Sequence, residues 1–271
     1  MASQIKFFQK NEIDIDDQNT NITITDSVAS NNGQDFVDLM RNRNNDSGWI
    51  TTGSTDAANT QIDVDMSSAR AIDRIIIVEH NLKSFTIQYW DGASFVDFST
   101  AINETTNDES TSEFIFDEVE TDQIRIIISA TQEVDDQKII RQLLICKSIG
   151  QLEGFPQVRR PTYSLEKSTT KMLSGKFNIS RQRGNFSCQL SVASYSIESD
   201  LDILESIYFS INGVLVWINA NDDEQFKRPH ISFRKQDIFL MAPRDEWQPE
   251  HYKNCYSLGM KFSMNLVEVI R

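Results

Sequence analysis

The 271-residue chain reads as mainly β: an N-terminal jelly-roll β-sandwich followed by a C-terminal β-barrel or sandwich with one packed α-helix. Three observations predict this. Short runs alternate apolar and polar residues and are separated by polar turns, the pattern of half-buried antiparallel strands. Charge divides the chain in two: residues 1–150 carry 26 Asp+Glu and 11 Lys+Arg, a net −15, whereas residues 151–271 carry 14 and 15, a net +1. Helical spacing is confined to Gln34–Arg41 and to the stretch Ile197–Ile211.

In the first half, QDFVDLMR (Gln34–Arg41) places Phe36, Leu39 and Met40 at i, i+3 and i+4 and is expected to be helical. QIDVDM (Gln61–Met66) turns Ile62, Val64 and Met66 to one side and Asp63 and Asp65 to the other. Two carboxylates so placed could act as an acid/base pair, but they equally form the solvated face of a strand. RIIIVEH is apolar on both faces, as a core strand requires. SFTIQYW alternates Phe85, Ile87 and Tyr89 against Thr86, Gln88 and Trp90, and an Asp91-Gly92 turn of hairpin type follows. FIFDEV, QIRIIIS and KIIRQLLICKSI supply further strands.

In the second half, SGKFNISRQRGNFSCQLSVAS (Ser174–Ser194) reads as a hairpin with Gln182–Asn185 at its tip. An amphipathic helix follows, with Ser196 as its cap and Glu198, Asp200 and Asp202 in its early turns, where the helix dipole favours negative charge. Ile197, Leu201, Leu204, Tyr208 and Ile211 form its apolar stripe, and Asn212-Gly213 ends it. VLVWINA, a strand pair or one bent strand within HISFRKQDIFLMAP, and the segment CYSLGMKFSMNLVEVI complete the β structure. The joint between units is expected in GQLEGFPQVRRP (Gly150–Pro161), which holds two of the ten glycines and two of the five prolines. Domains of 1–150 and 151–271 follow.

Several chemistries are excluded on composition. No run approaches the roughly 20 apolar residues of a membrane helix, so no membrane insertion is expected. The start, MASQIKFFQK, lacks a secretory signal's apolar core, so synthesis in the cytoplasm without a leader is expected. Cys146, Cys188 and Cys255 are scattered, odd in number and outside any CxxC, so they read as reduced and inert, neither disulfide-bonded nor zinc ligands. The acidic first half repels phosphate backbones and argues against direct nucleic-acid readout. FKRPHISFRK (Phe226–Lys235) mixes basic and aromatic residues and reads as a solvated strand face or inter-subunit contact before a nucleic-acid site. There is no nucleophile elbow, phosphate-binding glycine loop or HExxH, and no catalytic residue is assigned. His251 and Cys255 are four apart, which on a strand separates them by more than about 13 Å.

The ordered series from NNDSGWITTGSTDAANTQIDVDM through RIIIVEHNLKSFTIQYWDGASF resembles the discoidin-like, or coagulation factor 5/8 type C, domains over roughly residues 20–150. The resemblance implies a jelly roll that binds carbohydrate, lipid or protein through loops at one end. His80-Asn81 then falls at a turn closing a core strand, and His80 is structural. Trp49 takes the place of a core tryptophan. Trp90 is the candidate exposed, sugar-stacking residue, with Asn42 and Asn45 as candidate ligand-binding partners. The resemblance also implies a structural calcium near an Asp-rich turn. Asp46 is the candidate metal ligand there, since Ca²⁺ takes oxygen donors, although a plain turn fits the same residues. No other cofactor is expected.

Residues 160–271 resemble the barrel domains of bacteriophage tail-tube and distal-tail (baseplate) proteins, on the stretch GKFNISRQRGNFSCQLSVASYSIESDLDILESIYFSINGVLVWINA. That resemblance implies a structural virion protein: a tail subunit in a homo-oligomeric ring, among other phage tail proteins, with the first unit at the periphery facing a host-surface glycan. A free carbohydrate-binding lectin is the alternative. A hydrolase ranks last, because no acid/base pair or nucleophile can be named.

Overall fold

The computed structural model describes residues 5–15, 21–27, 34–43, 47–52, 58–152, 157–171, 177–194, 197–210, 213–218, 238–244, 250–251 and 260–269. The chain is mainly β with a single α-helix among these residues. It divides into two compact units, Lys10–Ser148 and Met1–Gln9 with Ile149–Arg271. The first nine residues thus group with Ile149–Arg271, and strand β1 (Lys6–Phe8) belongs to that unit.

The Lys10–Ser148 unit contains β2 (Thr23–Asp26), β3 (Trp49–Ile50), β4 (Thr60–His80), β5 (Leu82–Trp90), β6 (Phe95–Glu104), β7 (Ser112–Thr131) and β8 (Ile139–Cys146). They are ordered β3-β8-β4-β7-β5-β6, with β2 beside β4, and every pairing is antiparallel. The long β4 lies against β7 along most of its length, but the register shifts between Asp65 and Arg70. There Ser67 takes a left-handed φ of 62°, and its N–H donates to Asp65 Oδ1 at 2.7 Å. Such a bulge bends a strand. It lets one strand pair with β2 before the bend and with β8 after it.

The alternation read from the sequence fills this unit's core. Ile62, Val64 and Met66, then Ile75 and Ile77, then Phe85 and Ile87, meet Ile124, Ile126 and Ile128. Gln34–Arg41 is a 3₁₀ helix. Among its described side chains Val37 and Met40 are buried, whereas Leu39, expected beside Phe36 and Met40, is half-buried. With three residues per turn, i and i+3 eclipse and share a face. The Trp49 indole is fully buried and donates from Nε1 to Asp26 Oδ2 at 2.7 Å.

The second unit continues with β9 (Ser148–Gly150), β10 (Gln157–Lys171), β11 (Phe177–Ser194), helix α1 (Ile197–Tyr208), β12 (Val214–Trp217), β13 (Ile238–Pro243), β14 (Glu250–His251) and β15 (Met260–Glu268). The sheet order is β10-β11-β15-β13-β12-β1-β9, with β14 beside β15. β1 enters because Lys6, Phe7 and Phe8 pair with Trp217, Val216 and Leu215, and Phe7 is fully buried. The helix ends at Tyr208, one turn short of the expected Ile211. It buries Leu204 and Ile207, with Leu201 and Ile203 packed beside them, so Ile207 takes the place given to Tyr208 in the predicted stripe. Gly213, at φ 81°, follows it as expected. Ser196, Ile211, Asn212, Cys255, His230 and the basic stretch 226–235 lie outside the described residues.

Candidate functional site

The outer face of the first unit carries the most chemically varied cluster. It is built by the β5–β6 hairpin. Asp91 Oδ1 accepts the N–H groups of Ala93 and Ser94, both at 2.8 Å, and Asp91 N–H donates to Ser94 O at 3.1 Å. The Ser94 and Ala93 amides hold the Asp91 carboxyl below its ordinary pKa. Gly92, at φ 100°, supplies the left-handed residue of the turn. The turn brings Trp90 opposite Phe95, and their rings meet edge-on with centroids 5.2 Å apart.

Directly paired residues share a face of a sheet. Asp63 of β4 pairs with Arg125 of β7, Arg125 with Gln88 of β5, and Gln88 with Asp97 of β6. This polar row crosses four strands beside the Trp90–Phe95 pair. The Arg125 guanidinium lies over the Phe95 ring at 3.7 Å. It also donates to Asp63 from Nε at 2.7 Å and from Nη2 at 3.3 Å. Gln61 donates to Asp63 at 2.7 Å, and Gln88 to Asp97 at 3.0 Å. Trp90 and Phe95 are half-buried and Asp97 is exposed. The face combines an aromatic surface with fixed hydrogen-bonding groups, which suits a ligand carrying both C–H faces and hydroxyls.

The other candidates fall elsewhere. Asn42 donates to Ser47 Oγ at 2.9 Å; Asn45 and Asp46 lie outside the described residues. Asp63 and Asp65 do not form an acid/base pair, since Asp63 faces Arg125 and Asp65 accepts from its own strand. Phe95 and Arg125 were not singled out from sequence. Counting across the Asp91–Ser94 turn would have found Phe95, whereas Arg125 requires the β5–β7 register.

His80 belongs to a closed internal network. Its Nδ1 accepts the Leu82 N–H at 3.1 Å, and its Nε2 lies 2.9 Å from Ser112 Oγ. Because Nδ1 accepts, the proton sits on Nε2 and is donated to Ser112. The Ser112 hydroxyl donates to Asn107 Oδ1 at 3.3 Å, and Asn107 Nδ2 donates to Leu82 O at 2.8 Å. Burial pushes the His80 pKa down to about 4. Both ring nitrogens are committed inside the fold, so this histidine is structural. The left-handed residue at this corner is Glu79, φ 48°. Asn81 clamps the segment between β7 and β8: its amide donates to Asp136 and to Gln137 O, and its Oδ1 accepts Ile139 N–H.

Lys138, just ahead of β8, is fully buried. Its Nζ donates to Ala58 O, to Thr60 Oγ1 at 2.9 Å and to Ile128 O at 3.3 Å. The calcium implied near Asp46 rests on residues that, apart from Asn42, lie outside the described residues. The Ala58, Thr60 and Ile128 oxygens are a separate set, already engaged by Lys138 Nζ. Among the described residues no three His, Cys, Asp or Glu side chains gather as a metal site.

Residues 22–140 match the F5/8 type C domain. No curated protein matches the chain. Among solved structures, the chain is similar to chitosan-binding module 1 derived from a chitosanase/glucanase of Paenibacillus sp. IK-5, at 16% identity, covering 51% of this chain and 98% of that one, with a TM-score of 0.41. A family 32 carbohydrate-binding module from C. perfringens, in complex with galactose, is also similar, at 16% identity over 53% of this chain and 99% of that chain, TM-score 0.39. A third is a Ruminococcus gnavus GH29 fucosidase in complex with fucose, at 16% identity over 51% of this chain and only 27% of that chain, TM-score 0.42. The F5/8 type C match covers every element of the Trp90–Phe95 face: β4, β5, β6 and β7 all lie within it.

Proposed function

We propose that the F5/8 type C domain binds carbohydrate and that its contact face is the Trp90–Phe95 corner with Arg125, Asp63, Gln88 and Asp97. The observation that carries this reading is the aromatic pair set beside an in-register polar row. A sugar ring stacks its C–H face on an indole while its hydroxyls reach paired donors and acceptors. Arg125 is held by Asp63 and Phe95 before any ligand arrives, so little ordering entropy is lost on binding. Nothing in this role requires catalysis.

The test is a glycan array probed with the full chain, followed by calorimetry on the glycans retained. Trp90→Ala is expected to weaken binding at least about tenfold, the scale of one lost stacking contact of about 1.4 kcal/mol. Retained near-ultraviolet dichroism would show that the fold persists. An array blank for the full chain, or Trp90→Ala binding as well as the parent, would overturn the assignment.

The second unit is proposed as the assembly part of a bacteriophage tail, in a homo-oligomeric ring or docked on one. Its resemblance to tail barrels supports this, as does the place of β10 at the end of its sheet among the described residues. An end strand offers backbone groups that a neighbouring subunit can cover. The near-neutral charge of residues 151–271, +1 against −15 for residues 1–150, permits close packing. Mass spectrometry of purified particles decides between this and a free lectin. A protein found in the medium and absent from particles would establish the lectin.

A further inference from the structure

We propose that the Lys138 ammonium is the resident cation of this end of the F5/8 type C domain, filling an oxygen cage in place of a divalent metal. A lysine is rarely buried completely, and this one is 0% exposed. Ala58 O and Ile128 O can only accept, and the Thr60 hydroxyl sits with them around Nζ. The two carbonyls take one proton each and the Thr60 hydroxyl can accept a third, a set that fits the three donors of an ammonium.

The three oxygens come from two stretches of chain. Ala58 lies just ahead of β4 and Thr60 opens it, and Ile128 is paired directly with Thr60 on β7. The Lys138 main chain is bound to the other side: its N–H donates to Thr51 Oγ1 at 2.9 Å, and its O accepts Thr51 N–H at 3.1 Å. One side chain therefore ties the β3–β8 ladder to the β4–β7 ladder. Main-chain carbonyls and a hydroxyl converging from distant segments are the donors a hard metal ion would take. Here the cation is covalently attached, so the cage is filled at any metal concentration, and its positive charge repels a second cation from the same oxygens.

The experiment uses the full chain labelled with ¹⁵N-lysine, with Lys138 assigned through Lys138→Arg. At neutral pH the Lys138 Nζ resonance is expected at the shift of an ammonium, with slowly exchanging protons. A neutral-amine shift would overturn the proposal. Hydrogen exchange of the parent protein is then compared in millimolar EDTA and millimolar CaCl₂. Amides around 58–61 and 128–139 are expected to exchange equally in both, and slowing by about tenfold or more in calcium would show a metal in the cage and overturn it. Lys138→Met keeps the apolar stem and removes the donors. Its amides in the same segments are expected to exchange at least about tenfold faster, as buried acceptors lose their partner, and unchanged rates would count against the proposal. If this variant fails to accumulate as folded protein, the two measurements on the parent chain still decide.

Discussion

Acid should destabilise the F5/8 type C domain through His80, by an amount that follows from its burial. The unfolded chain takes up a proton on this ring near the ordinary value of 6.5, whereas the folded chain holds it neutral down to about 4. Between those values the unfolded state binds more protons, so stability falls as pH falls. This contribution is fully present above pH 6.5 and is lost progressively down to about pH 4. The full window corresponds to about 3 kcal/mol, and a measurement at about pH 4.5 should find about 2.5 kcal/mol of it gone. The cause is geometric. A proton on Nδ1 would confront the Leu82 N–H that this atom now accepts at 3.1 Å, in a residue only 5% exposed. Ring resonances of histidine-labelled full-length protein give the His80 titration directly. Urea unfolding at stepped pH, compared between the parent and His80→Gln, gives its energetic weight. His80→Gln should cost about 1–3 kcal/mol at neutral pH, because the Leu82 amide loses its acceptor. Its pH slope between 6.5 and 4.5 should be shallower than the parent's by the same ~2.5 kcal/mol. All other titrating groups are common to both proteins and cancel. A His80 ring titrating near 6.5, or parallel slopes for the two proteins, would refute the reasoning.

Two further outcomes are expected. Burial pushes the Cys188 thiol up to about 12 and raises that of Cys146 well above its ordinary value; peptide mapping after mild alkylation near pH 8 should find both unmodified in folded protein and both labelled in urea, and rapid native labelling of either would contradict the packing. Gly150→Ala should destabilise the second unit by about 1–3 kcal/mol, since φ is 137° there and an added Cβ would lie 2.8 Å from Ile203 Cδ1; an unchanged unfolding midpoint for peptides of α1 in hydrogen exchange would show that the joint has another backbone geometry.

Much of this protein is written in local pattern. The alternation of Ile62, Val64 and Met66 and the doubly apolar run at Ile75–Val78 specify which faces are buried, because side-chain direction in a strand repeats every two residues whatever the partner. The buried Trp49, the structural His80 and the Asp91-Gly92 turn were legible for the same reason: each depends on a few neighbouring residues. The Val37–Met40 face of the 3₁₀ helix departs from the expected spacing because each residue turns the chain by about 120° and not about 100°, a difference of about 160° over its length; α1 ends a turn early, at Tyr208. Tertiary structure alone decided the rest. β1 joins the second unit because Phe7 meets Val216, a pairing with no signal in either short segment. Arg125 reaches Phe95 and Asp63 only through the registers of β4, β5, β6 and β7, and a one-residue slip would turn it to the core. Lys138 reads as a surface lysine at the head of a strand. It becomes a buried cation because the chain returns Ala58, Thr60 and Ile128 to the same point, and convergence of oxygens from distant segments is a property of the fold that no local pattern carries.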